Sequence, residues 1–536
     1  MSISKIVVAY LKKHWLLLLW SLGVIALDIA STLLPPFLLK IIVDSVIPSQ
    51  DTSALLIWSC YYMLSYAALG ILEFLKSVIL IQVSQGICKD IRIGLLKRVE
   101  TMRYEDLSTY DIGTMESYFN NDVNTINTLV SDGVISMLID TFKMVGALVS
   151  VFFFSLNIGF VVLAISPFIA LFVIVVRKRM FKAELKAKEM EAGVNQRVLE
   201  NIENISAVQT FVAYDYISAR YKKILDADYA ANDTSMFFSS IFSPVMQMAR
   251  YVLIAIILII SVESPSIFGI TIGAFLSISD LLSDLFTPME NIGMELQTLQ
   301  TSAASIHRIN EFIKPRPKEN QKPLLTLKDE KYSLSFKDVY YSYNEKEKVI
   351  QDFSLNLKEG EKLTLKGESG VGKSTLFKLA YGLIAPVSGE VLINGTSVSL
   401  LEEKSRRKAF GIVYQDTFFS GGSIREELTL GDSSYSDQDV FYALKKVGLE
   451  RVKDLTAPLI EKDYSSGELA LFNIARILLR NPPIIFLDEM NAKIDPQTAL
   501  KIIDILNSFA SDKIILSIAH YGTQLKGSEE LTLIAK

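Results

Sequence analysis

The sequence predicts an α-helical transmembrane bundle of six spans with long cytoplasmic extensions, followed by an α/β domain built on a phosphate-binding loop. Three observations carry that expectation. Half of the 536 residues are hydrophobic and the mean hydropathy is +0.32, with only 21% of residues charged. Residues 144–176, "MVGALVSVFFFSLNIGFVVLAISPFIALFVIVV", hold no charge at all. At a rise of about 1.5 Å per residue, roughly 20 residues cross a bilayer, so this run suits two crossings and a tight turn. Behind the apolar part stands "LKGESGVGKSTLFKLA", residues 365–380, in which Gly367 is followed by four residues and then by Gly372, Lys373 and Ser374.

The six spans are drawn at residues 15–48, 54–80, 134–155, 158–176, 236–262 and 270–290. The turns around Ser49–Ser53, Ser155–Asn157 and Ser261–Gly269 contain no Lys or Arg. By contrast, the segment from Lys89 to Arg103 carries five, and Arg177, Lys178, Arg179, Lys182, Lys186 and Lys188 follow the fourth span. This bias predicts a multi-pass protein of the cytoplasmic membrane with both termini and the α/β domain in the cytoplasm. The basic stretches keep a helical pattern, so the helices are expected to run well past the bilayer. Lysines ahead of the first apolar run resemble a signal peptide, but the run continues through Leu34 without a small-residue cleavage site, which predicts a retained helix. Cys60 and Cys88 both fall in the apolar half, so no disulfide framework is indicated. A net charge of −5 with no basic face predicts no nucleic-acid partner.

The composition changes at "KPRPKENQKPLLTLKDEKYS", residues 314–333, which is charged and has three prolines. It reads as a linker, residues 314–332, between a transmembrane domain of residues 1–313 and a second domain of residues 333–536. Beyond it strands and helices alternate: "LTLKG" and "PIIFLDE" read as parallel strands and "STLFKLAYGL" as a helix.

A strand, Lys362–Lys366, enters the glycine-rich loop and a helix leaves it. Backbone N–H groups of Gly367, Glu368, Ser369, Gly370, Val371, Gly372, Lys373, Ser374 and Thr375, with the helix dipole, then converge on phosphate. Lys373 would reach the β and γ phosphates, and the Ser374 hydroxyl would ligate Mg²⁺. A second element strengthens this. The apolar strand "PIIFLDE" ends in Asp488, suited to hold Mg²⁺ through water, and Glu489, suited to polarise the attacking water. A nucleoside triphosphate, ATP or GTP, with Mg²⁺ is the expected ligand of this P-loop domain.

With those motifs in place, the chain resembles an ATP-binding cassette transporter of the exporter type over essentially its whole length. "FKDVYYSY" is similar to the aromatic loop, which implies that Tyr343 stacks on adenine. "VYQD" is similar to the glutamine loop, which implies that Gln415 senses Mg²⁺ and the membrane domain. "YSSGELALFNIAR" resembles the family signature, "AKID" with Asp495 the loop after the acidic strand, and "SIAH" puts His520 where the family keeps its γ-phosphate histidine. In the signature, Ser465 and Gly467 are kept, while Ser466 and Glu468 replace the usual glycine and glutamine. "RYEDLSTYDIGTMESYFNNDVNTI" and "AVQTFVAYDYISARY" resemble the two cytoplasmic loops, each implying a short coupling helix that rests on a cassette. The usual arginine after the histidine and the glutamate-glycine element before the signature are not matched.

The resemblance implies a half-transporter that dimerises to build two composite ATP sites and exports a substrate by alternating access. Its partners would be membrane lipid, a second half-transporter, either identical or different, and a cargo that is a peptide, a lipid or an amphipathic small molecule. A membrane-anchored ATPase or kinase, and an ATP-binding sensor that moves no cargo, are the rival readings. The chain begins almost at its first helix, so no leader-processing protease domain is expected.

Ionisable groups inside a bilayer are costly and usually functional. Counted inward from each outer turn, Lys143, Arg250 and Asp280 lie roughly 16–20 Å deep. Asp140 and Asp284 lie a little deeper, and Asp280 and Asp284 share a helix face. Two readings are open: interhelical ion pairs among these five groups, or a polar central cavity for an amphipathic or charged cargo.

Overall fold

The computed structural model describes all residues except Met1, 315–324, 328–330, 344–347, Ser369, 415–417, 489–493, 519–524 and 535–536, and leaves aside the side chains of residues 132, 292–294, 296, 297 and 403. The chain divides into two compact units, Met1–Thr101 with Tyr110–Pro315, and Met102–Thr109 with Arg316–Lys536.

The first unit is built from helices. α1 (Ile3–Lys13) leads into α2 (Trp15–Thr32) and α3 (Leu34–Ile41), which continues through a π turn at Ile42–Val46; α4 (Thr52–Thr101) returns beside them. After α5 (Tyr104–Leu107), which belongs to the second unit, a rod runs through α6 (Ile112–Ser117), a π turn at Tyr118–Asp122, α7 (Val123–Thr128), a second π turn at Leu129–Gly133 and α8 (Val134–Phe154). α9 (Leu156–Glu203), the short α10 (Ile205–Thr210), α11 (Tyr214–Glu263), α12 (Pro265–Phe268) and α13 (Ile272–Ile313) complete the unit.

Among the described residues, five helices are long and apolar enough to cross a membrane: Trp15–Ser49, Thr52–Thr101, Ile112–Phe154, Leu156–Glu203 and Tyr214–Glu263. α4, α9 and α11 have 50, 48 and 50 residues. That is about 75 Å of helix against about 30 Å of hydrocarbon, so each reaches far past a bilayer, as the sequence suggests. The sixth expected span falls on α13, which does not meet the same measure because Asp280 and Asp284 interrupt its apolar run. α13 is nevertheless the helix around which the unit packs. Its Ile278, Leu281, Leu282, Leu285 and Phe286 are buried with Val151 of α8, Val162 of α9 and Met246 of α11 in one apolar cluster.

Contacts between helices show that the outer turns are not level. Phe154, at the end of α8, stacks on Phe37 with centroids 4.7 Å apart and carries Lys40 over its ring at 5.1 Å. Ser277 Oγ donates to the Pro36 carbonyl at 2.6 Å, and the Gly273 N–H donates to Asp44 Oδ1 at 2.8 Å. The α8–α9 turn therefore lies about 15 Å below the turn after α3, at 1.5 Å per residue. α13 begins beside Asp44 while α8 ends beside Phe37, so the depths expected for Asp280 and Asp284 on α13 and for Asp140 and Lys143 on α8 do not share an origin.

The π turn at Tyr118–Asp122 has a clear anchor. The Asp122 carboxylate is buried and accepts from Ser305 Oγ at 2.8 Å and from Arg308 Nε at 3.1 Å, both on α13. The Thr125 carbonyl accepts from Ser302 Oγ at 3.1 Å on the same helix.

The second unit holds two sheets. β1 (Ser333–Ser342) and β2 (Lys348–Lys358) pair antiparallel; β3 (Lys362–Lys366) leads through the glycine-rich loop into α14 (Lys373–Ala380). β4 (Ser388–Ile393), β5 (Thr396–Ser397), α15 (Glu403–Ala409), β6 (Phe410–Val413), α16 (Ile424–Thr429), α17 (Asp437–Val447) and α18 (Ser466–Arg480) follow. β7 (Ile484–Asp488), α19 (Pro496–Phe509), β8 (Ile514–Ile518) and β9 (Glu529–Thr532) end the unit. The first sheet has the order β2-β1-β4-β5, and the parallel sheet the order β6-β7-β8-β3-β9. β8 is buried at every residue, and β7 at all but Asp488, as befits parallel strands covered on both faces. Leu365 of β3 pairs with Ile518, and Ile518 pairs with Asp488. The carboxyl ends of three neighbouring strands thus stop at one edge, where a ligand crevice forms in open α/β sheets.

Candidate functional site

The glycine-rich loop is shaped by positions that only glycine adopts without strain. Gly367 has φ +146° and Gly372 φ +105°; a Cβ at Gly367 would meet the Leu533 carbonyl at 2.7 Å, and one at Gly372 would meet Ile350 Cδ1 at 2.7 Å. The Lys373 side chain is buried, and its ammonium donates to the carbonyls of Gly367 at 2.7 Å and Glu368 at 2.9 Å. Its charge therefore sits inside the loop. Gly372 caps the N-terminus of α14, and Ser374 is exposed in the first turn while Thr375 is buried. A hydroxyl at Ser374 and a carboxylate at Asp488, each at the carboxyl-end edge of the sheet, are hard oxygen donors that suit Mg²⁺. Ser369, Gln415, Glu489 and His520 lie outside the described residues.

Tyr343 is exposed but not free. Its hydroxyl lies 3.2 Å from Thr375 Oγ1, and its ring stands edge-on to the buried Tyr341 with centroids 5.0 Å apart. The ring is thus fixed beside the phosphate loop with area to offer an aromatic base. Tyr343→Ala is expected to raise the ATP concentration for half-maximal hydrolysis about fivefold, the equivalent of about 1 kcal/mol of stacking. Phe and Trp should be tolerated; an equal loss with all three would make Tyr343 a packing residue.

α5, the first of the two expected coupling helices, packs beside the phosphate-loop helix. Lys378 of α14 lies over the Tyr104 ring at 5.3 Å, and Glu105 Oε1 accepts from the Ala385 N–H at 3.2 Å. Two phenols link this contact to the acidic strand. Burial raises Tyr414 and Tyr381 above the usual phenol value, and both lie within electrostatic reach of Tyr104 and of Asp488. The sequence reading did not single out Tyr381 or Tyr414, because a tyrosine inside an apolar helix or strand looks like core. The second expected coupling segment contains α10, and beyond it Phe211 and Val212 are exposed at 80% and 73%.

The residues that resemble the family signature open α18. Ser465 is its N-cap and forms a capping box with Glu468: Ser465 N donates to Glu468 Oε2 at 2.9 Å, and Glu468 N donates to Ser465 Oγ at 3.3 Å. Glu468 Oε1 pairs with Arg451 Nη2 at 2.7 Å. Gly467 is buried against the start of α19, where an added Cβ would lie 3.2 Å from Thr498 Cγ2 and 3.4 Å from Asp495 Oδ2. Asp495 caps α19 by accepting from Gln497 N at 3.1 Å and Thr498 N at 2.9 Å, and these bonds hold its carboxyl below the usual value. The phosphate loop and the signature are held by different residues of the unit.

In the helical unit, Asp28 is fully buried and its Oδ2 takes both Lys76 at 2.9 Å and Lys143 at 3.3 Å. Sequence reasoning missed Asp28 and Lys76, since the tall first hairpin puts both far from their own outer turn. Arg250 donates to Ser283 Oγ at 3.1 Å and lies over the Tyr251 ring at 4.9 Å, and Asp140 accepts from Asn291 Nδ2 at 3.0 Å. Asp280 and Asp284 make no ion pair among the described residues. Among the described residues the five expected groups form no ion pair with one another, and Lys143 pairs with a sixth group, Asp28.

The chain thus joins membrane-crossing helices to a phosphate-loop domain, the class of a membrane-bound nucleotide-binding protein. Residues 18–289 match the family described as ABC transporter transmembrane region and residues 350–492 the family described as ABC transporter, so the chain belongs to the ABC transporter family. It is 26% identical to an uncharacterized ABC transporter ATP-binding protein of Bacillus subtilis, YknV, over 94% of this chain and 85% of the relative. An ATP-dependent lipid A-core flippase of Desulfotalea psychrophila is 24% identical over 93% of this chain and 89% of that one. A lactococcin-A transport/processing protein of Lactococcus lactis is 27% identical over 91% of this chain and 69% of its own length. Among solved structures, a bacterial Atm1-family ABC exporter with ATP bound shares the fold, with a TM-score of 0.77, 20% identity, and coverage of 98% of this chain and 94% of that one. The protein is a multi-pass, ATP-hydrolysing ABC transporter with an exporter-type fold.

Proposed function

We propose that this chain is one half of a dimeric exporter of the cytoplasmic membrane, with α13 as its sixth span and its ATPase unit in the cytoplasm. Each ATP lies between the phosphate loop of one chain and the signature of its partner, so binding draws the two ATPase units together. Lys373 and the loop N–H groups hold the phosphates, and Tyr343 the base. Ser374, Gln415 and Asp488 would hold Mg²⁺, which when bound draws charge from the transferring phosphate. Glu489 takes the proton of the attacking water, and His520 orients the γ-phosphate. α5 passes closure to the helices, which turn outward; hydrolysis resets them. The observation that best supports this reading is the seat of Tyr104 and Glu105 beside the phosphate-loop helix, because a mere membrane tether needs no such contact.

The cargo proposed is amphipathic: one relative is named for lipid A-core and another for lactococcin-A, and Asp280 and Asp284 on α13, which make no ion pair among the described residues, would face a polar or cationic part of it. Neutralising both to Asn is expected to change which compounds stimulate ATP hydrolysis, without abolishing basal hydrolysis. A lower unfolding temperature with an unchanged stimulation profile would make them structural. ATP-driven uptake into inside-out membrane vesicles tests the function itself. Accumulation that needs ATP and stops in Lys373→Ala is the expected result; binding of ATP with no vectorial movement of any amphipathic compound would overturn it.

A further inference from the structure

We infer that Arg451 is a positioning residue of the composite ATP site: it neutralises Glu468, so that a signature carrying a carboxylate can face a polyphosphate. This rests on the reading of Ser465, Gly467 and Glu468 as the signature that meets a second chain's ATP. Arg451 lies 17 residues before Glu468, outside every motif.

The geometry is that of a prearranged pair. Both Ser465 N, at 2.9 Å, and Ser465 Oγ, at 3.0 Å, approach Glu468 Oε2, which leaves Oε1 for Arg451 Nη2 at 2.7 Å. The guanidinium also stacks on the Tyr464 ring at 5.0 Å. Tyr464 stands edge-on to Phe472 with centroids 5.0 Å apart, and Phe472 is fully buried in the core of the unit. Arg451 is therefore tied to the core through two aromatic contacts, although its side chain remains more than half exposed.

Electrostatics say what the pair does. A helix N-terminus carries about half a positive charge, and a carboxylate in its first turn reverses that sign. Glu468 is held ionised: the Ser465 N–H bond lowers its pKa first, and the Ser465 hydroxyl and Arg451 lower it further. Protonation at neutral pH therefore does not remove the charge. Arg451 restores a net positive end to α18, the sign a triphosphate needs. An exposed ion pair adds little to stability, so folding alone is a weak reason for this arrangement.

The test is ATP hydrolysis by the full-length transporter in nanodiscs, together with its partner subunit if the dimer is mixed, measured across ATP concentration. Arg451→Ala should raise half-saturating ATP roughly five- to tenfold with kcat changed by less than about twofold; Arg451→Lys should stay near wild type. Arg451→Ala combined with Glu468→Gln should return half-saturation to within about twofold of wild type, because the charge to be neutralised is gone. A double variant as impaired as Arg451→Ala, or an Arg451→Ala indistinguishable from wild type, overturns the inference. Gly467→Glu separates the two levels, with binding of a fluorescent ATP analogue to the phosphate loop as the check on folding. If Gly467→Glu hydrolyses ATP normally, the signature reading itself falls. If it is crippled while Arg451→Ala is silent, only the role of Arg451 falls.

Discussion

Glu489→Gln is expected to lower steady-state ATP hydrolysis by about 10²–10⁴-fold while leaving ATP binding intact. The strand that leads to Glu489 is an interior strand of the parallel sheet, buried over Ile484–Leu487, and its Asp488 is in register with β8 beside the phosphate-loop strand. A glutamine keeps the size and hydrogen-bonding reach of the side chain and loses only the capacity to take a proton from water. Binding and hydrolysis should therefore separate. Lys373→Ala should do the opposite, since it removes the ammonium seated on the Gly367 and Glu368 carbonyls and weakens binding first. Equilibrium binding of a fluorescent ATP analogue, read beside phosphate release, distinguishes the two. A Glu489→Gln variant with near-normal turnover would remove Glu489 as the base.

The second large effect is on stability. Asp28→Leu should destabilise the helical unit by about 3–5 kcal/mol, because it removes the buried carboxylate that holds both Lys76 and Lys143 and leaves Lys76 only the weaker contact with the exposed Glu73 at 3.9 Å. Asp28 is fully buried, and the lysine side chains are only 12% and 19% exposed. Replacing all three by apolar residues of similar size, Leu at 28 and Met at 76 and 143, should recover much of the loss, since no charge then remains to be compensated. Unfolding in detergent, followed by tryptophan fluorescence, measures both. If Asp28→Leu unfolds within about 1 kcal/mol of wild type, the cluster is solvated rather than buried.

How far these features could be read from sequence depended on whether their cause was local. Lys362–Lys366, Gly367 to Ser374 and Ile484–Asp488 were legible because strand, turn and helix signals follow one another within a few residues. The long helices were legible as apolar runs that continue into basic helical stretches. Asp28 was in plain view within the first apolar run, but its role depends on hairpins of unequal height, which no single span reveals. Ser465 and Glu468 have the serine-x-x-glutamate spacing of a capping box, so the capping role of Glu468 was readable, whereas the sequence reading took it only as a replacement for the signature's usual glutamine. Arg451 was not legible at all: its meaning comes from a fold that brings the end of one helix to the start of another.

The π turn at Tyr118–Asp122 also bears on how this stretch is to be compared with others. A π turn holds one residue more than an α turn, so the faces on either side of it are offset by about 100°. A single helical wheel drawn from Ile112 to Phe154 thus mixes two phases across this turn, and the π turn at Leu129–Gly133 adds a third. Asp122 reaches Ser305 and Arg308 only in the phase this extra residue sets. Within this rod the number of residues between Ile112 and Asp122 is itself a structural quantity. A gapless alignment with a rod that lacks the turn would pair inward residues with outward ones.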